Sequence, residues 1–194
     1  MLRPLIAAFV LAGPAQAQTT PAEAFQGLPW GASEAQIGER FGAELKPARC
    51  TASMLTQAVA RREVCDHPTV PIYEVAGVPF RLNLALDTER RQLVRVSLWY
   101  AGEAENPPPN LAQDNRWSER HRMLRGLITQ RYGPSESANA TNEPGSFVAS
   151  ARWRVAGTLI ELNSMFFHRL ANGPAREQYE ITYQPVTAGE AGKL

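Results

Sequence analysis

Two periodicities divide the chain. Phe80, Leu82, Leu84 and Leu86 alternate with Arg81, Asn83 and Ala85, and Val94, Val96, Leu98 and Tyr100 alternate with Arg95, Ser97 and Trp99. A period of two puts successive side chains on opposite faces of a strand, so these segments predict a hairpin with one buried and one wet face, joined by the polar residues 87–92. The alternation returns with Ala151, Trp153 and Val155 set against Arg152 and Arg154. It crosses a tight turn at Ala156-Gly157 into a strand over residues 158–167, then ends in Tyr179, Ile181 and Tyr183.

Elsewhere the period approaches 3.6. Ser33-Glu34-Ala35-Gln36 matches the Ser-x-x-Gln capping box, in which two side chains satisfy backbone N–H groups left open at a helix start. Ile37 and Phe41 follow at i and i+4, and Gly42 can take the left-handed conformation that ends a short helix. Residues 51–63 predict a second short helix between Cys50 and Cys65. The longest helical stripe is Trp117, His121, Leu124, Ile128 and Tyr132, with Leu127 beside it. Asp114 or Ser118 can cap that helix, and Gly133-Pro134 stops it. Residues 102–110 include Pro107, Pro108 and Pro109 and predict an extended connection, because proline fixes φ and donates no hydrogen bond. Residues 135–146 are rich in Ser, Asn, Gly and Pro and predict a mobile loop.

The order α-(α)-β-β-β-α-β-β-β predicts an α+β fold, with an antiparallel sheet and helices packed on one face. Residues 25–186 read as one domain with two α-β-β-β halves, 25–101 and 111–186, between a leader at 18–24 and a tail at 187–194.

The punctuation of these elements also carries a resemblance. The run Phe25-Gln26-Gly27-Leu28-Pro29-Trp30-Gly31-Ala32-Ser33, the helix end Phe41-Gly42 and the later Tyr132-Gly133-Pro134 resemble a family of small exported bacterial proteins. Members of that family start Phe-x-Gly-x-Pro-Trp-Gly-x-Ser, with helices ending Phe-Gly and Tyr-Gly-Pro. The repeated layout is similar to the tandem fold of the beta-lactamase inhibitory protein. The resemblance implies a fold and an exported address, and it carries over no catalytic residue.

The first 17 residues agree with that address. Arg3, an apolar run over 5–12, Gly13-Pro14 and the A-x-A site Ala15-Gln16-Ala17 read as a signal peptide cleaved before Gln18. The apolar run is far shorter than the roughly 20 residues of a membrane-spanning helix, so no membrane span is expected. The predicted destination is the bacterial periplasm or the medium. In an oxidising compartment the two cysteines, Cys50 and Cys65, are expected to form one disulfide. The rival, a metal site at Cys65-Asp66-His67, lacks a four-ligand spacing, and no metal or cofactor is expected.

Charge narrows the partners. The 20 Lys+Arg against 19 Asp+Glu leave no basic domain for nucleic acid. There is no Gly-x-Ser-x-Gly elbow, phosphate-binding glycine loop or calcium loop, and His67, His121 and His168 lie in no local catalytic signature. His121 reads as a histidine at the edge of the core. Trp30 reads as a plug beneath the core, and Trp153 as core.

The wet face of the sheet is then the surface of interest. It is expected to carry Arg81, Asn83, Arg95, Ser97, Trp99, Arg152, Arg154, Glu180 and Thr182. The strand at 158–167 adds either Glu161, Asn163, Met165 and Phe167 or the opposite set. Aromatic and guanidinium groups on one open face match the composition enriched at interfaces. Arg81, Arg95, Trp99, Arg152 and Arg154 are the candidate binding residues. The bland reading is a wet face whose arginines lie over aliphatic neighbours. The expected function is a non-enzymatic binding or inhibitor-like module for a periplasmic protein, a peptide or an anionic envelope glycan. The alternatives are an envelope hydrolase with a non-local site and a structural or stress-related exported protein.

Overall fold

The computed structural model describes residues 23–102, 116–143, 146–167 and 176–186. The signal-like first 17 residues, the triple proline, Asp114, His168 and the tail at 187–194 lie outside the described residues, as do the side chains of Trp117 and Ser118.

The elements run β1 (Glu23–Phe25), β2 (Leu28–Pro29), α1 (Glu34–Phe41), β3 (Lys46–Pro47), α2 (Ala52–Arg61), β4 (Pro68–Val75), β5 (Val78–Leu86), β6 (Leu93–Tyr100), α3 (Arg116–Tyr132), β7 (Ser137–Glu143), β8 (Ser146–Val155), β9 (Thr158–Phe167) and β10 (Arg176–Pro185). β1 and β2 form a small ribbon, and the other eight strands form one sheet ordered β3-β4-β5-β6-β10-β9-β8-β7. Every pairing is antiparallel, and the last strands of the two predicted halves, β6 and β10, meet at the centre. The fold class is α+β.

Local signals explain most boundaries. At α1 the Ser33 side chain accepts the Gln36 backbone N–H while Gln36 Oε1 accepts the Ser33 N–H at 2.9 Å, so both halves of the capping box are present. Gly42 follows with φ +53°, a conformation costly for a residue with a Cβ. Asp87 closes the β5/β6 hairpin by accepting the backbone N–H groups of Arg90, Gln92 and Glu89 at 2.7, 3.0 and 2.9 Å. α3 ends at Gly133, whose N–H donates to the Thr129 carbonyl at 2.9 Å. Trp153 Nε1–H donates to the Gly133 carbonyl at 3.1 Å and so joins the helix stop to β8.

The core lies between one sheet face and α1 with α3. Phe80, Leu82, Leu84, Val96, Leu98, Trp153, Ile160, Leu162 and Ile181 from the sheet pack with Ile37, Phe41, Leu124 and Ile128 from the helices. Trp30 packs at its margin, and its Nε1–H donates to Thr158 Oγ1 at 2.9 Å.

Four features depart from the sequence reading. The predicted loop at 135–146 is mostly strand: β7 pairs with β8 from Ser137↔Arg152 to Glu143↔Ser146. An edge strand is recruited through its backbone, so polar side chains such as Ser137 and Asn139 need no apolar partner. Glu23 and Ala24, placed in the leader, belong to β1, and Ala24 is buried. The β5/β6 ladder shifts register between Ala85 and Leu86, where Leu84 opposes Val96 but Leu86 opposes Leu93. This bulge gives the core position to Leu93 and removes Val94 from it.

The fourth departure concerns the helices. α1 and α3 share the core face as expected, whereas α2 lies against the other face. There Met54, Ala58 and Arg61 border a cleft with Arg81, Asn83, Ser97 and Trp99.

Candidate functional site

The pairing registers place the five predicted residues on one sheet face. Arg81 opposes Trp99 and Asn83 opposes Ser97 across β5 and β6. The Ser97 row continues through Thr182, Glu161 and Arg152 to Ser137. Arg95 and Arg154 join the same face two residues from Ser97 and Arg152. β9 contributes Glu161, Asn163 and Met165 to this face and turns Ile160, Leu162, Ser164 and Phe166 inward.

One face does not make one site. Three strand spacings of about 4.8 Å separate Ser97 from Arg152, so the two arginine groups stand roughly 14 Å apart. Arg152 is bonded to Glu161, its directly opposite neighbour, at 2.6 Å, and Arg154 pairs with Glu136 at 3.4 Å. Exposed pairs of this kind stabilise by only about 0–1 kcal/mol, yet they neutralise the charge at that end of the sheet.

The other end is concave. α2 stands over Arg81, Asn83, Arg95, Ser97 and Trp99 and encloses a cleft of about 470 Å³, a volume typical of small-molecule sites. Thr51 caps α2 by accepting the Met54 N–H, and a disulfide between Cys50 and Cys65, with Cα atoms 5.4 Å apart, brackets the helix. Beyond it the Val64 N–H donates to the Leu86 carbonyl at 2.8 Å, and the Thr88 N–H to the Arg62 carbonyl at 3.0 Å. Arg95 Nε and Nη2 then clasp the Glu63 carboxylate at 2.8 and 2.6 Å. The two side chains of that pair are only 16% and 9% exposed, so this fork fixes the chain leaving α2 to the sheet in a dry setting.

Side-chain roles within the cleft follow from these bonds. Arg95 is committed to Glu63 and also donates from Nη1 to Ser97 Oγ at 3.2 Å. Trp99 donates Nε1–H to the same oxygen at 3.3 Å, so what it offers a ligand is its ring, in a residue 37% exposed. Arg61 and Arg81 have no carboxylate partner among the described residues, and three guanidinium groups against one carboxylate leave the lining positive. His67 Nδ1 lies 3.3 Å from the Val64 carbonyl. A carbonyl only accepts, so Nδ1 carries the hydrogen. The ring's Nε2 is buried with no hydrogen-bond partner. The sulfur of Cys65 is taken by the disulfide, which removes it from any metal site with Asp66 and His67.

Sequence reasoning missed Arg61 and Glu63. Nothing in the local pattern ties Glu63 to Arg95, 32 positions away. The cysteine spacing alone hinted that residues between 50 and 65 are held as a unit.

A second constellation lies inside the protein. His121 on α3 has Nδ1 2.7 Å from Ser164 Oγ, and the two residues are 5% and 2% exposed. The sequence placed His121 at the core's edge, whereas the structure puts it inside, edge-on to the Phe147 ring. Burial, reinforced by the nearby Arg125 cation, pushes its pKa down to about 4. The unfolded chain therefore binds a proton near pH 6.5 that the folded chain refuses until about pH 4. Stability is expected to fall by roughly 2–3 kcal/mol as pH drops through that window, and to do so no further from this group below it. Glu34, held low by its bond from Arg91, and Asp87, held low by backbone N–H groups led by Arg90, lose their contributions at more acid pH. Urea denaturation of wild type and His121→Gln between pH 4 and 7 checks this, because the variant should lose most of the slope. Equal slopes would contradict the assignment.

No protein-family model matches the chain, and comparisons with curated proteins and with solved structures return no match.

Proposed function

We propose that the chain is an exported, non-enzymatic binding module that works through the cleft between α2 and the Arg81/Trp99 corner of the sheet. One observation carries this reading: the cleft combines two guanidinium groups that have no carboxylate partner among the described residues with an indole face whose N–H is already used. Such groups recognise charge and flat apolar surface. The carboxylate of the cleft is spent on Arg95, and the imidazole Nδ1 is turned to a backbone carbonyl. The signal-like start and the disulfide support the exported address. No helix among the described residues is long and apolar enough to cross a membrane. The resemblance to small exported bacterial proteins agrees with such a module.

The hydrolase alternative draws on the contact of His121 with Ser164. Both groups are buried on the side of the sheet that faces α3, so the contact serves packing of the core.

Capture from native envelope extract tests the reading. Arg81→Ala with Trp99→Ala should abolish capture, whereas Arg152→Ala with Arg154→Ala should leave it intact. Arg95 is the wrong residue to remove, because its loss strands the Glu63 carboxylate in a dry site. Arg81 is exposed, but Trp99 is only 37% exposed and bonded to Ser97, so the melting temperature of the Arg81/Trp99 variant should fall by a few degrees while the protein stays folded at the assay temperature. Equal capture by wild type and that variant would contradict the proposal.

A further inference from the structure

The geometry points to an acidic saccharide, a short sugar chain bearing carboxylates, as the occupant of the α2 cleft. This rests on the reading of the cleft as the working surface and names the chemistry it takes. Arg61 on α2 and Arg81 on β5 line the cleft from its two sides, helix and sheet, with no carboxylate answering either among the described residues. Because Arg95 is held by Glu63, the uncompensated charge calls for an anion, and two walls favour a ligand with more than one.

The floor selects against a peptide strand. Extended peptides are recognised by pairing with an exposed sheet edge. Here the floor is β5 and β6, which are paired on both sides, by β4 and β10 as well as by each other. No backbone edge is open, so recognition must come from side chains. Trp99 presents a flat apolar ring directly opposite Arg81, a surface that matches the apolar face of a sugar ring while its N–H stays on Ser97. Asn83 adds a side-chain carbonyl acceptor, its Nδ2 lying 3.5 Å from the Ser97 carbonyl. An acceptor beside cations suits a ligand that carries hydroxyl donors and carboxylates together. The cleft volume, about 470 Å³, limits the bound portion to a short stretch of chain.

Calorimetric titration of the disulfide-bonded protein tests the assignment, with four probes: tetragalacturonate, neutral galactotetraose, adenosine triphosphate and tetraglutamate. Tetragalacturonate should bind, and galactotetraose should bind at least about tenfold more weakly. Added salt should weaken the acidic sugar, since exposed charges are screened within about 10 Å at 0.1 M. Arg81→Gln and Trp99→Ala should each weaken tetragalacturonate about tenfold or more, and Arg152→Ala should leave it unchanged. Circular dichroism of each variant should show the wild-type fold, which separates loss of binding from loss of structure. The assignment is overturned if tetragalacturonate does not bind, if the neutral sugar binds equally well, or if the nucleotide or the peptide binds more tightly. Should it fail while the Arg81/Trp99 substitutions still abolish capture from extract, the cleft remains the working surface for another ligand. Failure of both experiments removes the cleft reading as well.

Discussion

Trp153→Ala is expected to destabilise the protein by about 3–5 kcal/mol, the usual range for deleting a buried indole from a packed core. Trp153 is fully buried at 0% exposure, between the sheet and α3. Its Nε1–H satisfies the Gly133 carbonyl at the point where α3 turns back toward β7. Two costs therefore coincide: a cavity that rigid strands cannot close, and a helix-end carbonyl that loses its donor. Trp153→Phe separates them, because it keeps most of the ring volume and should cost only about 1–2 kcal/mol. Equilibrium urea denaturation reads both values. A loss below about 1 kcal/mol for the alanine variant would mean that β8 does not seat the end of α3.

Removing the disulfide has the next largest expected effect, and a different character. Cys50→Ala with Cys65→Ala should cost about 3 kcal/mol in the chain-entropy argument for a loop of about 15 residues. The damage should concentrate in α2. Ten-residue helices are marginal alone, and Ala58 is the buried residue of this one, while Leu55 and Val59 are 50% and 69% exposed. The helix is thus held at its ends, which the disulfide joins to each other and the fork of Arg95 on Glu63 ties to the sheet. Loss of the cross-link should lower the denaturation midpoint while leaving the sheet's cooperative transition in place. An unchanged midpoint would show that the hydrogen bonds beyond α2 suffice to hold it.

What was legible in the sequence was what local chemistry decides. Ser33 and Gln36 announce their helix because the capping box is satisfied within one turn. Phe80, Leu82, Leu84 and Leu86 announce their strand because a half-buried sheet imposes period two. Trp153 was readable as core from its alternation with Arg152 and Arg154, and the cysteine pair from its parity. The misses all depend on distant partners. β7 has no apolar period, and β8 recruits it through ladder pairing from Ser137↔Arg152 to Glu143↔Ser146. Leu93 displaces Val94 because a bulge resets the register, and a bulge leaves no mark in the hydrophobic pattern. α2 carries Met54, Ala58 and Arg61 on one side and Leu55 and Val59 on the other, an ambiguous pattern that is resolved only by where the disulfide and Glu63 tether it. The open face was found residue by residue. Its division into a neutralised end and a charged cleft came from Glu161, Glu136 and Glu63, whose pairings lie in the folded geometry.

Hydrogen exchange over residues 52–61, compared between oxidised and reduced protein, bears most directly on the cleft. With α2 fastened over the sheet, its amides should exchange slowly when Cys50 and Cys65 are joined and quickly after reduction, while β5, β6 and β10 keep their protection in both states. Fast exchange of α2 in the oxidised protein, or protection unchanged by reduction, would contradict a cleft built by a cross-linked helix.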